Sequence, residues 1–373
     1  MRIAINTRFL LPNKMEGFGW YSYEITKRLV ENHPEHEFIF FFDRDFDKRF
    51  IFGENVTPVV LFPPARHPFL FYWWFEFSIK KALKKYKIDV FFSPDGYISL
   101  KTKIPQIATI HDLNFEHYPN DIPFSARKYL KYFFPKFAKK ANKIVTVSNY
   151  SKEDLCQTYN LPESKISVIW NGASNLFSPL DNKGLLAVKN RYTSGREYFI
   201  FVGSLHPRKN INRLIEAFSI YKNKFPEGFD LVIVGEQLWK KTGLSFKISD
   251  ELSKSVHFTG HLNFDELTKV MAAASCLTYV PYFEGFGIPL VEAMKSGVPI
   301  ISGNLTSLPE IVGDAGILVN PFSIEEIADA MEKIYLDGNL RKILSEKGLE
   351  RSKLFSWDLA AEKVWEEIEK LIK

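Results

Sequence analysis

Cysteine is scarce in this chain of 373 residues, which contains only Cys156 and Cys276. Two cysteines so far apart do not build a disulfide scaffold, and they are typical of a reducing compartment. Long apolar runs are also missing: the chain has only short aromatic clusters such as FIFFF at residues 38–42. A membrane-spanning helix needs about 20 apolar residues, and no leader pattern precedes the strand-like residues 2–6. We therefore expect a cytoplasmic protein without a signal peptide or a transmembrane helix.

The composition otherwise fits a folded protein, because 46% of the residues are hydrophobic. The length exceeds what one ordinary core holds, so two domains are expected. Short apolar, β-branched runs alternate with helical stretches in the first half, and the alternation restarts at Tyr198. This pattern predicts α/β domains with doubly wound parallel sheets, which bind ligands at the carboxyl ends of their strands.

The most informative stretch is PYFEGFGIPLVEAMKSG at residues 281–297, which follows the apolar run at 276–280. Gly285 and Gly287 interrupt the strand pattern, and helical spacing begins after them with Pro289 in the first turn. The sequence thus predicts a strand, a glycine loop and a helix. The free amide groups and the positive dipole end of such a helix favour a phosphate or a sugar hydroxyl.

Two carboxylates flank this loop. Glu284 precedes the glycines and Glu292 lies in the second turn of the helix, about 10 Å away at 1.5 Å of rise per helical residue. That distance is enough to span the sugar and ribose ends of a nucleotide sugar. The alternative is structural: Glu292 then only complements the helix dipole, and Glu284 is a solvated loop residue.

The E-x7-E spacing across F-G-F-G resembles the retaining glycosyltransferases of family 4, and more narrowly the bacterial mannosyltransferases of polysaccharide assembly. The resemblance implies that Glu284 contacts the transferred sugar and that Glu292 contacts the ribose of the nucleotide. It also implies that the loop and the helix start hold the donor, through Gly285, Phe286, Gly287 and Ile288.

A second segment of the same half, GSLHPRKN, resembles the diphosphate-binding segment of the family. The resemblance assigns Gly203, Arg208 and Lys209 to the donor, and it gives the two cations a catalytic part at the leaving diphosphate. Ser204 departs from the pattern, since many members have Arg or Glu there. The segment VHFTG around Phe258 resembles the one whose backbone holds the nucleotide base.

In the first half, the glycine loop G-F-G-W-Y resembles a family loop that closes over donor and acceptor, which implies that Gly17 and Gly19 lie at the donor. Its lead-in, residues 10–14, suits a mobile loop. His111 and Asp112 follow a predicted strand at 106–110. The family has a similar pair there, whose histidine reaches the donor sugar, whereas a histidine after a strand is otherwise often a structural hydrogen-bonding group.

The family architecture is called GT-B, and it implies two Rossmann-like domains with a central cleft. We predict an N-terminal acceptor domain at residues 1–176 and a C-terminal donor domain at 177–356. The last helix, 357–373, is expected to cross back to the first domain.

A metal-dependent alternative rests on DRDFD, where Asp43 and Asp45 follow a strand like the D-x-D motif of the other major glycosyltransferase architecture. Neighbouring Arg44, Lys48 and Arg49 favour a solvated strand end instead. We expect no metal and no cofactor.

The positive charge is concentrated in the first half. Residues 1–180 contain 25 Lys and Arg against 18 Asp and Glu, whereas the rest contains 24 against 26. Basic, aromatic segments at 73–87 and 123–143 fit two alternatives equally: helices lying on an anionic membrane, or helices packed on the sheet with a charged outer face. No nucleic-acid motif accompanies the charge, so nucleic acid is not an expected partner.

The sequence therefore predicts a retaining, metal-independent hexosyltransferase. It would use a nucleotide diphosphate sugar, with GDP-mannose as the first guess, and a glycan or a lipid-linked glycan as acceptor. Peripheral attachment to the inner face of the cell membrane stays open. A nucleotide-sugar epimerase of the same architecture and a non-catalytic nucleotide-sugar binding protein are the alternatives.

Overall fold

Parallel strands form two separate sheets in the structure, a computed structural model that describes residues 1–12, 15, 17–236 and 248–372. The chain divides into two units. The first unit comprises Met1–Asn171 and Ser356–Lys373, and the second comprises Gly172–Phe355. The first division thus lies between Asn171 and Gly172, where the sequence had suggested residue 176. Within the described residues, both units are α/β structures, as predicted.

The sheet of the first unit has seven strands in the order β3-β2-β1-β4-β5-β6-β7. Because β1 pairs with both β2 and β4, the strand order reverses there, which is where doubly wound sheets bind ligands. The strands are β1 (Arg2–Asn6), β2 (Glu37–Phe42), β3 (Val56–Val60), β4 (Val90–Ser93), β5 (Gln106–Thr109), β6 (Lys143–Thr146) and β7 (Ile166–Val168).

Helices cover this sheet, and their apolar side chains form the core. Phe75, Leu83 and Phe137 are buried there with strand residues such as Phe91 and Ile144. A π-helical turn, Trp74–Ile79, lies between two of the helices. The helices of the unit are α1 (Gly17–Asn32), α2 (Pro68–Trp73), α3 (Lys80–Lys85), α4 (Asn114–His117), α5 (Phe124–Lys140), α6 (Asn149–Tyr159) and, at the end of the chain, α14 (Trp357–Glu369).

The sheet of the second unit has six strands in the order β10-β9-β8-β11-β12-β13. Strands β8 and β9 are buried throughout, and apart from Asp230 at the start of β9 their sequences are apolar, as is typical of central parallel strands. The strands are β8 (Tyr198–Val202), β9 (Asp230–Val234), β10 (Val256–Gly260), β11 (Cys276–Tyr279), β12 (Ile300–Gly303) and β13 (Gly316–Val319).

The helices of the second unit alternate with its strands, as a parallel sheet requires. Three helices follow β13, and Asp337 separates the first two: it ends one helix and its side chain caps the next at Leu340 N. The helices are α7 (Asn182–Thr193), α8 (Ile211–Lys224), α9 (Phe264–Ala272), α10 (Ile288–Lys295), α11 (Leu308–Val312), α12 (Ile324–Leu336) and α13 (Gly338–Ser352).

Helix α14 packs within the first unit although it ends the chain. Its Val364 and Ile368 are fully buried, and the Trp365 ring stacks on His33 of the first unit at 3.6 Å between centroids. Ser167 Oγ of β7 donates to Glu367 Oε1 at 3.1 Å. These contacts make the last helix part of the first unit.

Among the described residues, none of the helices combines the length and the apolar character that crossing a bilayer requires.

Candidate donor site and active-site residues

Glycines lie at the carboxyl ends of β8, β9 and β10 and let the backbones of these strands approach closely. Gly203 N donates to Val234 O at 3.0 Å, and Gly235 N donates to Gly260 O at 2.9 Å. A Cβ on Gly235 would lie 1.9 Å from the carbonyl oxygen of Gly203, so no larger residue fits there. Gly203, predicted at the donor, thus lies at a closely packed strand edge.

Arg208 and Lys209 lie in a short 3-10 turn, Pro207–Lys209, between β8 and α8. The turn is fixed by Asn210, whose φ of 62° ends it and whose Nδ2 donates to Val280 O at 3.0 Å and to Pro321 O at 2.6 Å. Tyr282 N also donates to Arg208 O at 3.0 Å. These bonds hold the cationic turn against the loop after β11.

The buried carboxylate of Glu284 meets both cations. Its Oε1 lies 2.9 Å from Arg208 Nη1 and forms a close ion pair with Lys209 Nζ. Tyr279 Oη, also buried, donates to the same oxygen at 2.9 Å, and Lys209 Nζ lies 2.5 Å from Tyr279 Oη. The structure therefore brings together three predicted residues and one that the sequence analysis did not single out.

Opposing effects set the ionisation of Glu284. Burial alone would raise the pKa of its carboxyl, but the charges of Arg208 and Lys209 and the hydrogen bonds from Lys209 and Tyr279 lower the pKa to about 2. The carboxylate is therefore ionised at every physiological pH. Replacing either cation would leave a buried negative charge with fewer partners.

Gly287 makes the turn from the loop into α10. Its φ is 93°, and a Cβ there would approach Leu290 Cδ1 to 3.0 Å. The side chain of Phe286 is buried and meets the Phe355 ring edge-on at 5.8 Å, so this predicted donor residue anchors the loop in the core. Contact of Phe286 with a donor would therefore be through its backbone, as for Gly285 and Gly287.

Glu292 lies in α10 in a different environment. Its side chain is partly exposed, and its carboxylate has neither a hydrogen-bond nor an ion-pair partner among the residues that the structure describes. Desolvation in this site raises the pKa of Glu292 from 4.5 to about 8. An acceptor that lacks a partner and faces partial solvent is available to the hydroxyl groups of a ligand.

Phe258 lies on the edge strand β10 and is 44% exposed. Its neighbour His257 is bound through Nε2 to Asp230 Oδ2 at 2.8 Å. The segment predicted to hold the base is therefore an accessible edge of the sheet.

His111 follows β5 in the first unit. Its Nε2 lies 2.9 Å from Pro94 O, and because a carbonyl only accepts, Nε2 carries the proton. Burial lowers the pKa of His111, which keeps the ring neutral. The lone pair of Nδ1 has no hydrogen-bonding partner in the described part of the chain, which leaves this nitrogen for a ligand.

The glycine loop at the start of α1 lies next to His111. Gly19 is buried where a Cβ would lie 2.9 Å from Phe9 O, whereas the position of Gly17 is open. The ring of Phe18, between them, is 45% exposed and meets His111 edge-on at 4.9 Å. The first unit thus brings together its three predicted site residues, while Lys14 of the lead-in lies outside the described residues.

Residues 15–174 match the family model Glycosyltransferase Family 4, and residues 185–351 match Glycosyl transferases group 1. An uncharacterized glycosyltransferase of Methanocaldococcus jannaschii is 31% identical over 303 residues, which make up 78% of each chain. This chain belongs to the family 4 glycosyltransferases. Membership of this family does not favour the epimerase or the non-catalytic alternative.

One further relative of this glycosyltransferase and one structure of similar fold are informative. The O-antigen chain mannosyltransferase B of Escherichia coli is 27% identical over 356 residues, covering 92% of this chain and 93% of that protein. Anabaena Alr3699/HepE, solved in complex with UDP-glucose, matches with a TM-score of 0.78 at 16% identity, covering 99% of this chain and 100% of that one. The second likeness concerns the fold alone, which is GT-B as predicted.

The glycosyltransferase also contains a buried ion pair that the sequence analysis missed. Arg8 Nε lies 2.6 Å from Asp95 Oδ2, and Asn6 Nδ2 donates to Asp95 Oδ1 at 2.9 Å. Asp95 follows Pro94, whose carbonyl holds His111. The signal was present, since Arg8 follows β1 and Asp95 follows β4, and these neighbouring strands end at the same sheet edge.

The two aspartates of the D-x-D alternative lie in different environments. The Asp43 carboxylate is buried, where it binds Arg44 at 2.6 and 2.7 Å and accepts from Ala65 N at 3.0 Å, whereas Asp45 is exposed. In the described ranges no group of three or more His, Cys, Asp or Glu is arranged to hold a metal ion. The geometry gives Asp43 a structural role.

Proposed function

We propose that this glycosyltransferase moves a hexose from a nucleoside diphosphate sugar to a glycan or a lipid-linked glycan, with GDP-mannose as donor. The observation that carries the proposal is the cluster of Arg208, Lys209 and Glu284 beside the start of α10. It combines fixed positive charge for a diphosphate with a carboxylate for the sugar. The choice of mannose is supported by the name of the Escherichia coli relative.

In this proposal the donor lies along the carboxyl edge of the second sheet. Arg208, Lys209 and the amides of residues 285–288 bind the diphosphate and stabilise the charge that develops as it leaves. Glu284 contacts the hexose. Glu292 accepts hydrogen bonds from the ribose, and the backbone around Phe258 holds the base.

We further propose transfer with retention of configuration and without a metal ion. The bond from the sugar C1 to the diphosphate breaks, and the acceptor oxygen forms its bond to C1 on the same face. The acceptor proton passes to an oxygen of the leaving diphosphate. The cations of the 3-10 turn support metal independence because they can supply positive charge to the leaving diphosphate. In the first unit, we assign His111, through Nδ1, and the loop of Gly17 and Gly19 a role in binding substrate.

A basic aromatic face supports peripheral attachment to an anionic membrane. We define this face by the aromatic residues Phe69, Phe124 and Tyr132, which are 68%, 60% and 60% exposed, and by Lys128 and Lys136. Lys136 Nζ lies 3.3 Å from the Tyr132 ring centroid, and Lys128 Nζ lies 4.5 Å from that of Phe124. The other side of α5 packs in the core through Phe134 and Phe137, so packing and membrane contact are compatible.

An open pocket of about 680 Å³ lies on this face between α2 and α5. Its lining is aromatic and basic, and it includes Phe69, Tyr72, Tyr132, Phe133, Lys128 and Lys136. No acidic side chain belongs to the lining that the structure describes. Apolar rings and ammonium groups together suit acyl chains below phosphate head groups.

Release of free nucleoside diphosphate from a panel of nucleotide sugars, with and without octyl α-mannoside, tests the proposed reaction. We expect GDP release from GDP-mannose that depends on the mannoside. Interconversion of the sugars without release would indicate an epimerase. Binding without either reaction would indicate a non-catalytic protein.

A further inference from the structure

All the hydrogen bonds of the Glu284 side chain go to one oxygen. Oε1 accepts from Lys209 Nζ and Tyr279 Oη, and it forms an ion pair with Arg208 Nη1 at 2.9 Å. Within the part of the chain that the structure describes, Oε2 receives no hydrogen bond. The carboxylate thus has one anchored oxygen and one that can face a sugar.

Tyr279 differs from the two cations in its position. It ends β11, is fully buried, and stacks on Phe201 at 6.0 Å with 22° between the ring planes. Its single O–H donates to Glu284, so its oxygen accepts from Lys209. Arg208 and Lys209, by contrast, keep part of their side chains accessible, at 23% and 10% exposure.

We infer that Tyr279 is a positioning residue that holds Oε1 of Glu284 when the diphosphate of the donor draws Arg208 and Lys209 away. A diphosphate competes for both cations because it carries more charge than the carboxylate. A neutral, buried hydroxyl does not take part in that competition. Tyr279 therefore keeps Oε2 directed at the hexose throughout the reaction. This inference rests on the proposed contact between Glu284 and the sugar.

The protonation state of Tyr279 agrees with this role. Burial, and then the neighbouring charge of Glu284, raise its pKa well above the usual range. The phenol of Tyr279 thus stays protonated, and remains a hydrogen-bond donor, at every pH at which the enzyme works. A phenylalanine would fill the same space but would leave Oε1 with cationic donors only.

Tyr279→Phe removes only the hydroxyl, and Tyr198→Phe is its matched control. Tyr198 is also fully buried in the second unit, and its Oη donates to Val270 O at 2.7 Å, at the opposite end of the neighbouring strand. Both changes delete one buried hydroxyl. With GDP-mannose and octyl α-mannoside, we expect Tyr279→Phe to lower kcat about tenfold or more, since a hydrogen bond to a charged group is lost. GDP affinity should stay unchanged, and Tyr198→Phe should retain full kcat.

A further readout separates positioning from folding. In calorimetric titrations, the ratio of GDP-mannose affinity to GDP affinity should fall in Tyr279→Phe alone. That ratio does not require turnover.

The inference is wrong if Tyr279→Phe keeps the kcat and the affinity ratio of the wild type. It is also wrong if Tyr198→Phe loses as much of both. Absence of transfer by the wild type on any donor would instead contradict the proposed function, and the affinity ratio would then decide on Tyr279 alone.

Discussion

The carboxylates of Glu284 and Glu292 belong to one motif, yet their surroundings act on them in opposite directions. Paired cations and a phenol keep Glu284 ionised, with its pKa lowered to about 2. Glu292 has no such partners among the described residues, and burial raises its pKa to about 8. Replacing each glutamate by glutamine should therefore have a different effect on catalysis and on nucleotide binding.

We expect Glu284→Gln to lower kcat about 10²-fold or more, because a charge at the reacting sugar is lost. GDP affinity should not fall, since the carboxylate that competes with the diphosphate for Arg208 and Lys209 has gone. Single-turnover transfer beside calorimetric titration with GDP measures both effects. The exposed Glu346 provides the control variant, Glu346→Gln. A loss of GDP affinity as large as the loss of kcat would place Glu284 at the nucleotide instead.

Above pH 8, where the Glu292 carboxylate is ionised, Glu292→Gln should weaken GDP and GDP-mannose binding alike, about tenfold or more, because a charged acceptor for the ribose is lost. Wild-type GDP affinity should rise as the pH approaches about 8, because the carboxylate ionises there. The variant should lack this pH dependence. Titrations across this pH range provide the measurement, and parallel pH profiles would contradict the assignment.

The same residue has the opposite effect on stability. Between pH 4.5 and about 8 the folded protein holds a proton on Glu292 that the unfolded chain has released, so stability falls as the pH rises through this window. Glu292→Gln removes this dependence. We therefore expect the ligand-free variant to melt at a higher temperature than the wild type at pH 8, and at a similar temperature at pH 4.5.

At the scale of elements, strands and glycine loops were the readily predictable features. The strand predicted from the apolar run at 276–280 is β11, Cys276–Tyr279, and the helix predicted after Gly287 is α10. Arg208, Lys209 and Glu284 could be recognised because each lies in a local motif at a strand end. The contact of Tyr279 with them could not, because in sequence Tyr279 is one apolar residue of a buried strand.

The helical segment at 73–87 shows a second limit of sequence patterns. Its basic, aromatic composition suggests one helix, yet the structure has the π-helical turn Trp74–Ile79 between α2 and α3. Glu76 in this turn is buried and accepts from Leu100 N at 2.8 Å and Lys101 N at 3.1 Å. Partners so distant in sequence leave no periodic signal.

Asp43 and Asp45, which follow β2, form the only metal-binding motif that the sequence analysis considered, and we predict that transfer does not depend on a metal ion. EDTA should leave transfer unchanged, because we assign the stabilisation of the diphosphate to Arg208 and Lys209. Asp43→Asn should lower the free energy of unfolding by about 1–3 kcal/mol, since Arg44 and Ala65 N lose a charged acceptor. Transfer assays with EDTA and denaturant titrations of the variant test both points. Loss of transfer on chelation, together with inactive Asp43→Asn and Asp45→Asn variants, would support the D-x-D alternative.

At the scale of the whole molecule, the excess of positive charge in the first half of the chain predicts that the first unit binds an anionic membrane. The basic aromatic face lies in the first unit, and each basic residue near an anionic surface contributes about 1 kcal/mol. We expect flotation with vesicles of phosphatidylglycerol and phosphatidylcholine, but not with phosphatidylcholine alone. High salt should abolish it.

The double variant Lys128→Glu/Lys136→Glu should bind these vesicles at least about tenfold more weakly. Lys183→Glu/Lys342→Glu changes the net charge equally at exposed positions of the second unit and should bind as the wild type does. Equal binding to neutral and anionic vesicles, or equal loss in both double variants, would leave α2 and α5 as packed scaffold.

The most direct test of the whole account is the anomeric configuration of the product formed from GDP-mannose, in which the mannose is α-linked, and octyl α-mannoside. Proton NMR of the isolated disaccharide reports that configuration. A donor held with Glu284 at the sugar and the diphosphate on Arg208 and Lys209 predicts an α-linked product, and Glu284→Gln should form it far more slowly. A β-linked product would contradict the proposed retaining transfer.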